Sequence, residues 1–368
     1  MTVNYRINIF GFPGAPGEAQ NLGLRDQRAA VEWIRTNIAS FGGDPTRIIL
    51  AGQSSGGVAA DYWAYAYEQD PIAAGLILVS GNVFSFPLNA PGVTDKNWAT
   101  VVAAVDCNTT TDHATIMTCM RAVPWPSLKA AAAAIKPSPS TSVLRSVPAF
   151  YPQADDELVF HDYLARTRAG RFARVPILVG NNHNEAGYYR IPAFSNGGVV
   201  PTAEQVDAFH LESFTCPVAH QASARAAHGV PAWVYRYFGD FENTRLYNGP
   251  DGSSGSYHGV DLHMVFGGSE EVSGLPESRG QGELKRAMQK AWYAFAKDPW
   301  EGLEWRMGWP TWRAGANDSL VALGARNSVP RLADPRRFDA PCSTVTLGAL
   351  GTAGTSSAGA SRTAEQDQ

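Results

Sequence analysis

The stretch that decides the fold is RIILAGQSSGGVAADYWAYAY, Arg47 to Tyr67. An apolar run, Ile48 to Leu50, leads into small residues, and VAADYWAYAY after them suits a helix. Between the two lies Gly52-Gln53-Ser54-Ser55-Gly56, a Gly-x-Ser-x-Gly pattern. Glycine and serine are abundant, so the pattern alone is equally what a plain loop would show. A strand before it and a helix after it change the reading. On a sharp strand-to-helix turn the serine hydroxyl is lifted into the open, and small neighbours let the backbone take that strained turn. The register selects Ser54, because Ser55 would need glycine at position 53, where Gln53 stands.

Outward from this stretch, AGLILVSG (Ala74 to Gly81), VPILVG (Val175 to Gly180) and AWVYRYF (Ala232 to Phe238) are short continuous apolar runs. That is the pattern of strands buried on both faces. Val3 to Arg6 reads as the end of another strand, followed by a Gly/Pro-rich loop. Leu24, Val31, Ile34 and Ile38 share one helical face, as do Leu284, Met288, Ala291 and Phe295. Strands alternating with helices predict an α/β protein with a mostly parallel sheet covered on both faces. Residues 82–174 form a long, largely helical excursion between two strands, with the Ala-rich LKAAAAAIK inside it. One domain is expected over 1–342, and the Ser/Thr/Gly/Ala-rich 343–368 as a disordered tail.

The net charge of −4 is spread along 368 residues and provides no basic stripe for nucleic acid and no polybasic membrane patch. No run of 18 apolar residues predicts a transmembrane helix, and the first residues lack a signal-peptide layout. Oligomeric state is not legible. The four cysteines, Cys107, Cys119, Cys216 and Cys342, contain no CxxC pair and do not suit zinc; by spacing alone three pairings are open. Asn108-Thr109-Thr110 and Asn317-Asp318-Ser319 fit the glycan acceptor pattern.

FGGDPTRIILAGQSSG (Phe41 to Gly56) resembles the serine signature of the type-B carboxylesterases, the family of cholinesterases and fungal lipases. NYRINIFGF, NLGLRDQRAAVEWIRTNIASFGGDP, AGLILVSG, VPILVGNNHNEAG, SYHGVDLHMVFG and GWPTW resemble the same family, in family order. The resemblance implies an α/β-hydrolase fold and carboxylic-ester hydrolysis by a Ser–His–Glu triad through an acyl-enzyme, with no cofactor or metal. The implied partner is a small-molecule or lipid ester. Ser54 carries over as nucleophile, Glu185 in NEAG as the acid, and His258 in YHGVDL as the base; the Ser55 backbone N–H carries over as an oxyanion donor. Asp155 and Asp156 are weaker rivals for the acid, since they precede their strand, and His263 is the nearest rival base. The resemblance also implies disulfides Cys107–Cys119 and Cys216–Cys342, and a secreted protein.

Two departures qualify the match. Gln53 stands where many relatives carry glutamate, which removes a charge from the pocket floor and argues against a cationic substrate. The family also opens with several strands and an HGGG-type oxyanion loop that would lie before Met1. The resemblance therefore implies a domain incomplete at its N-terminus, with weak or absent activity. It further implies a one-strand gap in the sheet, between the strand ending NYR and the strand RIIL, with backbone groups buried unpaired. The alternative reading is a non-catalytic binding or adhesion member of the same fold.

Overall fold

The computed structural model describes residues 1–140, 142–249 and 252–350. The apolar runs form strands β1 (Ile49–Gln53), β2 (Gly75–Val79), β3 (Ile177–Asn182) and β4 (Ala232–Tyr237), joined by β5 (Leu320–Leu323) and β6 (Arg331–Ala333). They lie in one sheet in that order. Neighbours from β1 to β5 are parallel, and β6 runs antiparallel to β5. β5 and β6 go beyond the expectation; each is too short to stand out as a periodic run.

Successive side chains on a strand point to opposite faces, so an unbroken apolar run must feed two cores. Leu76, Leu78, Ile177, Val179, Ala232 and Val234 enter one core, while Ile77, Val79, Leu178, Trp233, Tyr235 and Tyr237 enter the other. The chain's longer helices include α1 (Leu22–Asn37), α2 (Ser55–Ala66), α3 (Ala186–Gly197), α4 (Cys216–Ala227) and α5 (Arg279–Lys297). Helices α2 and α4 cover the first face, through residues such as Val58, Tyr62, Val218 and Ala222. Helix α5 covers the second face with the predicted stripe Leu284, Met288, Ala291 and Phe295, and the Ser278 hydroxyl caps its start by accepting from Gln281 N. On α1, Leu24 and Val31 are buried and Ile34 is half-buried, as is Ile38 just after its end.

The N-terminal expectation is corrected. Val3 to Arg6 is irregular, and the Arg6 N–H donates to the Asp26 carboxylate at 3.0 Å instead of to a strand. Among the described residues β1 is therefore an edge strand, and the sheet has no internal gap. Its free side is half-exposed, with Ala51 exposed, so its outward backbone groups are not sealed from water as a buried gap would require. The excursion packs a small core around Trp98, Val101, Met120, Ala132 and Phe150 together with Ile9 and Ala15 of the N-terminal segment, next to the bond between Cys107 and Cys119. Cys216 is bonded to Cys342 across a separation of 126 residues, and no cysteine is free. Of the stretch expected to be disordered, residues 343–350 pack against the fold: Leu347 is buried and Ala349 N donates to Phe84 O at 3.0 Å. Residues 351–368 lie outside the described residues.

Candidate active site

The C-terminal ends of the parallel strands deliver one residue each to a common place. Ser54 follows β1, Ser80 follows β2, and Glu185 comes three residues after the end of β3. His258 lies in the long connection after β4. Ser54 sits at φ 58°, ψ −121°, between a strand and the first residue of α2. This is a strained backbone for a residue with a Cβ, and it is held there because Ser54 N donates to Val79 O at 2.8 Å and Val58 N donates back to Ser54 O at 3.0 Å.

The glycines around this turn do not share the steric burden as the motif suggests. A Cβ on Gly52 would lie 2.1 Å from the Gly56 carbonyl oxygen, whereas one on Gly56 would meet nothing within 4 Å. Gly56→Ala is accordingly expected to leave stability unchanged or raise it by up to about 1 kcal/mol, as for a helical glycine. Gly52→Ala should cost about 1–3 kcal/mol and distort the turn. Urea unfolding of the two variants separates them, and equal effects would contradict this geometry.

Glu185 is fully buried, and its carboxylate is saturated. Oε1 accepts from Ser80 Oγ at 2.7 Å and from Asn182 N at 2.6 Å. Oε2 lies 2.6 Å from His258 Nδ1. A carboxylate can only accept, so Nδ1 carries the proton and the Nε2 of a neutral ring presents a lone pair. That lone pair faces the Gln53–Ser54 turn. The Gln53 amide donates to it at 3.1 Å, and the Tyr189 hydroxyl lies 3.3 Å away. Among the described hydrogen bonds Ser54 Oγ makes none to this nitrogen, whose described partners are Gln53 and Tyr189. Tyr188, Tyr189 and Phe214 ring the imidazole, with centroids 6.2, 5.0 and 5.4 Å from it.

The rivals fall elsewhere. Asp155 builds a turn by accepting from Leu158 N and Val159 N, and Asp156 pairs with His161. His263 lies on the short helix Leu262–Phe266, and burial pushes its pKa down; among the described hydrogen bonds its ring makes none to Ser54 or Glu185. No group of three His, Cys, Asp or Glu side chains converges as metal ligands would, among the described residues. No described helix is long and apolar enough to cross a membrane.

Ser80, Asn182 and Asp261 lie inside the family-like stretches but are assigned no role there, and Tyr189 lies just outside them. The usable signals were position: Ser80 directly follows a buried strand, and Tyr189 comes one helical turn after Glu185. Asp261 is buried behind the histidine, where Tyr235 Oη donates to it at 3.0 Å and Asn182 Nδ2 at 3.2 Å. Burial, then the nearby Glu185 charge, pushes its carboxyl up to about 6. Its ordinary value of 3.8 applies in the unfolded chain. A carboxyl raised in the fold is a penalty absent below about pH 4 and complete above about pH 6, here up to about 3 kcal/mol. Asp261→Asn should therefore gain stability relative to wild type as pH rises from 4.5 to 7.5, read by urea unfolding. A pH-independent difference would refute this.

A model of the carboxylesterase family matches residues 1–207. A chlorogenic acid esterase of Aspergillus niger is 33% identical over 365 residues, covering 93% of this chain and 66% of that protein. A secreted lipase 5 of Gibberella zeae is 33% identical over 364 residues, with 93% and 65% covered. A para-nitrobenzyl esterase of Bacillus subtilis is 26% identical over 357 residues, with 87% and 68% covered. The chain thus spans about two thirds of the length of these relatives.

Proposed function

Because this chain belongs to the carboxylesterase family, we propose that it hydrolyses carboxylic esters with Ser54 as nucleophile, His258 as base and Glu185 as the acid behind it. A serine hydroxyl is too weakly acidic to attack an ester at neutral pH unless its proton is taken as it attacks. His258 takes that proton on Nε2. The Glu185 carboxylate on Nδ1 holds the tautomer and stabilises the imidazolium that results. His258 then protonates the departing alcohol, leaving Ser54 acylated, and water releases the acid by the same path in reverse. The Ser55 N–H, first in α2 and free of any intrahelical partner, is the donor for the oxyanion, aided by the positive end of the helix.

The observation that supports this reading most is the 2.6 Å contact between Glu185 and His258, 73 residues apart, with Nε2 turned toward the strained Ser54 turn. The relatives' names, an esterase of chlorogenic acid, a lipase and a para-nitrobenzyl esterase, support a small-molecule or lipid ester as substrate. A neutral Gln53 beside the imidazole provides no anion for a cationic alcohol. Two disulfides and a relative named as secreted support an extracellular setting.

A fluorophosphonate probe tests the nucleophile directly. It should label the chain once, at Ser54 by peptide mapping, and Ser54→Ala should not be labelled. Labelling at another serine, or none, would overturn the assignment.

A further inference from the structure

We propose that the Tyr189 hydroxyl is a further catalytic group of this site, hydrogen-bonding the leaving-group oxygen in the first half-reaction and the attacking water in the second, both beside His258 Nε2. The proposal rests on the Ser54–His258–Glu185 reading above.

The oxygen of Tyr189 sits where those two oxygens must pass. It lies 3.3 Å from Nε2, the nitrogen that Gln53 of the Ser54 turn also reaches at 3.1 Å, so it borders the atom that takes and returns the proton. Its place is set by the ring and does not depend on the hydroxyl. Tyr189 stands one turn after Glu185 on α3, and its ring packs edge-on against Phe209 at 4.9 Å and beside Phe214 at 6.1 Å. Phe209 and Phe214 are themselves buried. A rigid ring thus aims one O–H and two lone pairs at the reacting atoms.

Burial raises the phenol's pKa, although Arg145 opposes this. The group therefore stays protonated and acts by hydrogen bonds alone, neither giving up its proton nor taking one. In acylation, Ser54 Oγ bonds the carbonyl carbon and its proton goes to Nε2. The carbon–oxygen bond to the alcohol then breaks, its electron pair stays on the alcohol oxygen, and the Nε2 proton follows it. Tyr189 donates to that oxygen as charge develops on it. In deacylation, water takes the alcohol's place: it bonds the carbon, its proton goes to Nε2 and then to Ser54 Oγ as the acyl bond breaks. Tyr189 holds the water in line. Gln53 reaches the same Nε2 at 3.1 Å, and its N–H has to leave that lone pair when the proton arrives, because a protonated Nε2 is itself a donor.

The test compares wild type, Tyr189→Phe and Tyr189→Leu on an alkyl ester and on its p-nitrophenyl counterpart, after fluorophosphonate labelling of each. Tyr189→Phe keeps the ring and removes only the hydroxyl. It should label at Ser54, lose about 10–100-fold in kcat on the alkyl ester, and change KM by less than about twofold. On the p-nitrophenyl ester, whose leaving group needs no proton, it should show a burst of nitrophenolate from slowed deacylation. If Tyr189→Phe matches wild type in kcat on both esters without a burst, while only Tyr189→Leu is impaired, the residue is packing and the proposal falls with the triad reading intact. Failure of wild type itself to label at Ser54 would remove both.

Discussion

Ser54→Ala is expected to lower turnover of a short-chain aryl ester by about 10⁴–10⁶-fold, His258→Ala by a similar factor, and the double variant by no more than either. The equality is the informative part. Nucleophile and base act on one proton, so removing either leaves nothing for the other to do, and the losses do not multiply. Glu185→Gln tests the third member differently. It preserves volume in a fully buried position, yet it replaces an acceptor-only carboxylate with an amide opposite Nδ1, and Ser80 Oγ and Asn182 N both donate to the same group. A wrong tautomer is worth about 10⁴ in rate. Ser54→Ala retaining more than about a tenth of wild-type turnover would mean that another residue is the nucleophile. Losses that multiply in the double variant would mean that His258 does not serve Ser54.

The largest expected stability effect lies away from the site, where α2 meets α4. Arg225 and Asp61 are both fully buried, with Nη2 and Oδ1 3.2 Å apart. Asp61 also accepts from Gln221 Nε2 at 2.6 Å and from Val83 N at 3.0 Å. The guanidinium donates to Ala173 O at 3.0 Å and lies 3.9 Å over the Phe172 ring. Burial pushes the Asp61 carboxyl up even with Arg225 beside it, so desolvation outweighs the attraction, as is common for buried pairs. The pair is thus a poor source of stability and a dangerous one to break. Arg225→Ala should cost about 3–5 kcal/mol, because a carboxylate is left buried without its counter-charge. Asp61→Asn combined with Arg225→Met removes both charges and keeps an acceptor for Gln221 and Val83. Urea unfolding should find this double variant more stable than Arg225→Ala. If it is instead the less stable of the two, the ion pair is a net gain and the argument fails.

The position of β1 bears on how far family patterns predict local structure. NYRINIFGF resembles a family segment, yet Arg6 commits its backbone N–H to Asp26, and the residues before Asn8 form no ladder. Hydrogen bonds to a strand neighbour are what make a strand, and no local pattern supplies the neighbour.

By itself the sequence determined what short-range periodicity can carry. Unbroken apolar runs require strands with two buried faces, the stripe Leu284, Met288, Ala291 and Phe295 requires a helix with one, and Gly52 ahead of Ser54 permits the strained turn between β1 and α2. Motif order also brought forward Glu185 and His258 as candidates. The tertiary structure alone decided that these two lie 2.6 Å apart, that Ser80 and Asn182 saturate Glu185, and that Gln53 and Tyr189 take the Nε2 lone pair. It also decided that the steric need falls on Gly52 and not on Gly56. The physical reason is one of range. Periodicity is written within a few residues, whereas strand register and helix docking set which distant side chains meet, and the site is made almost wholly of such meetings.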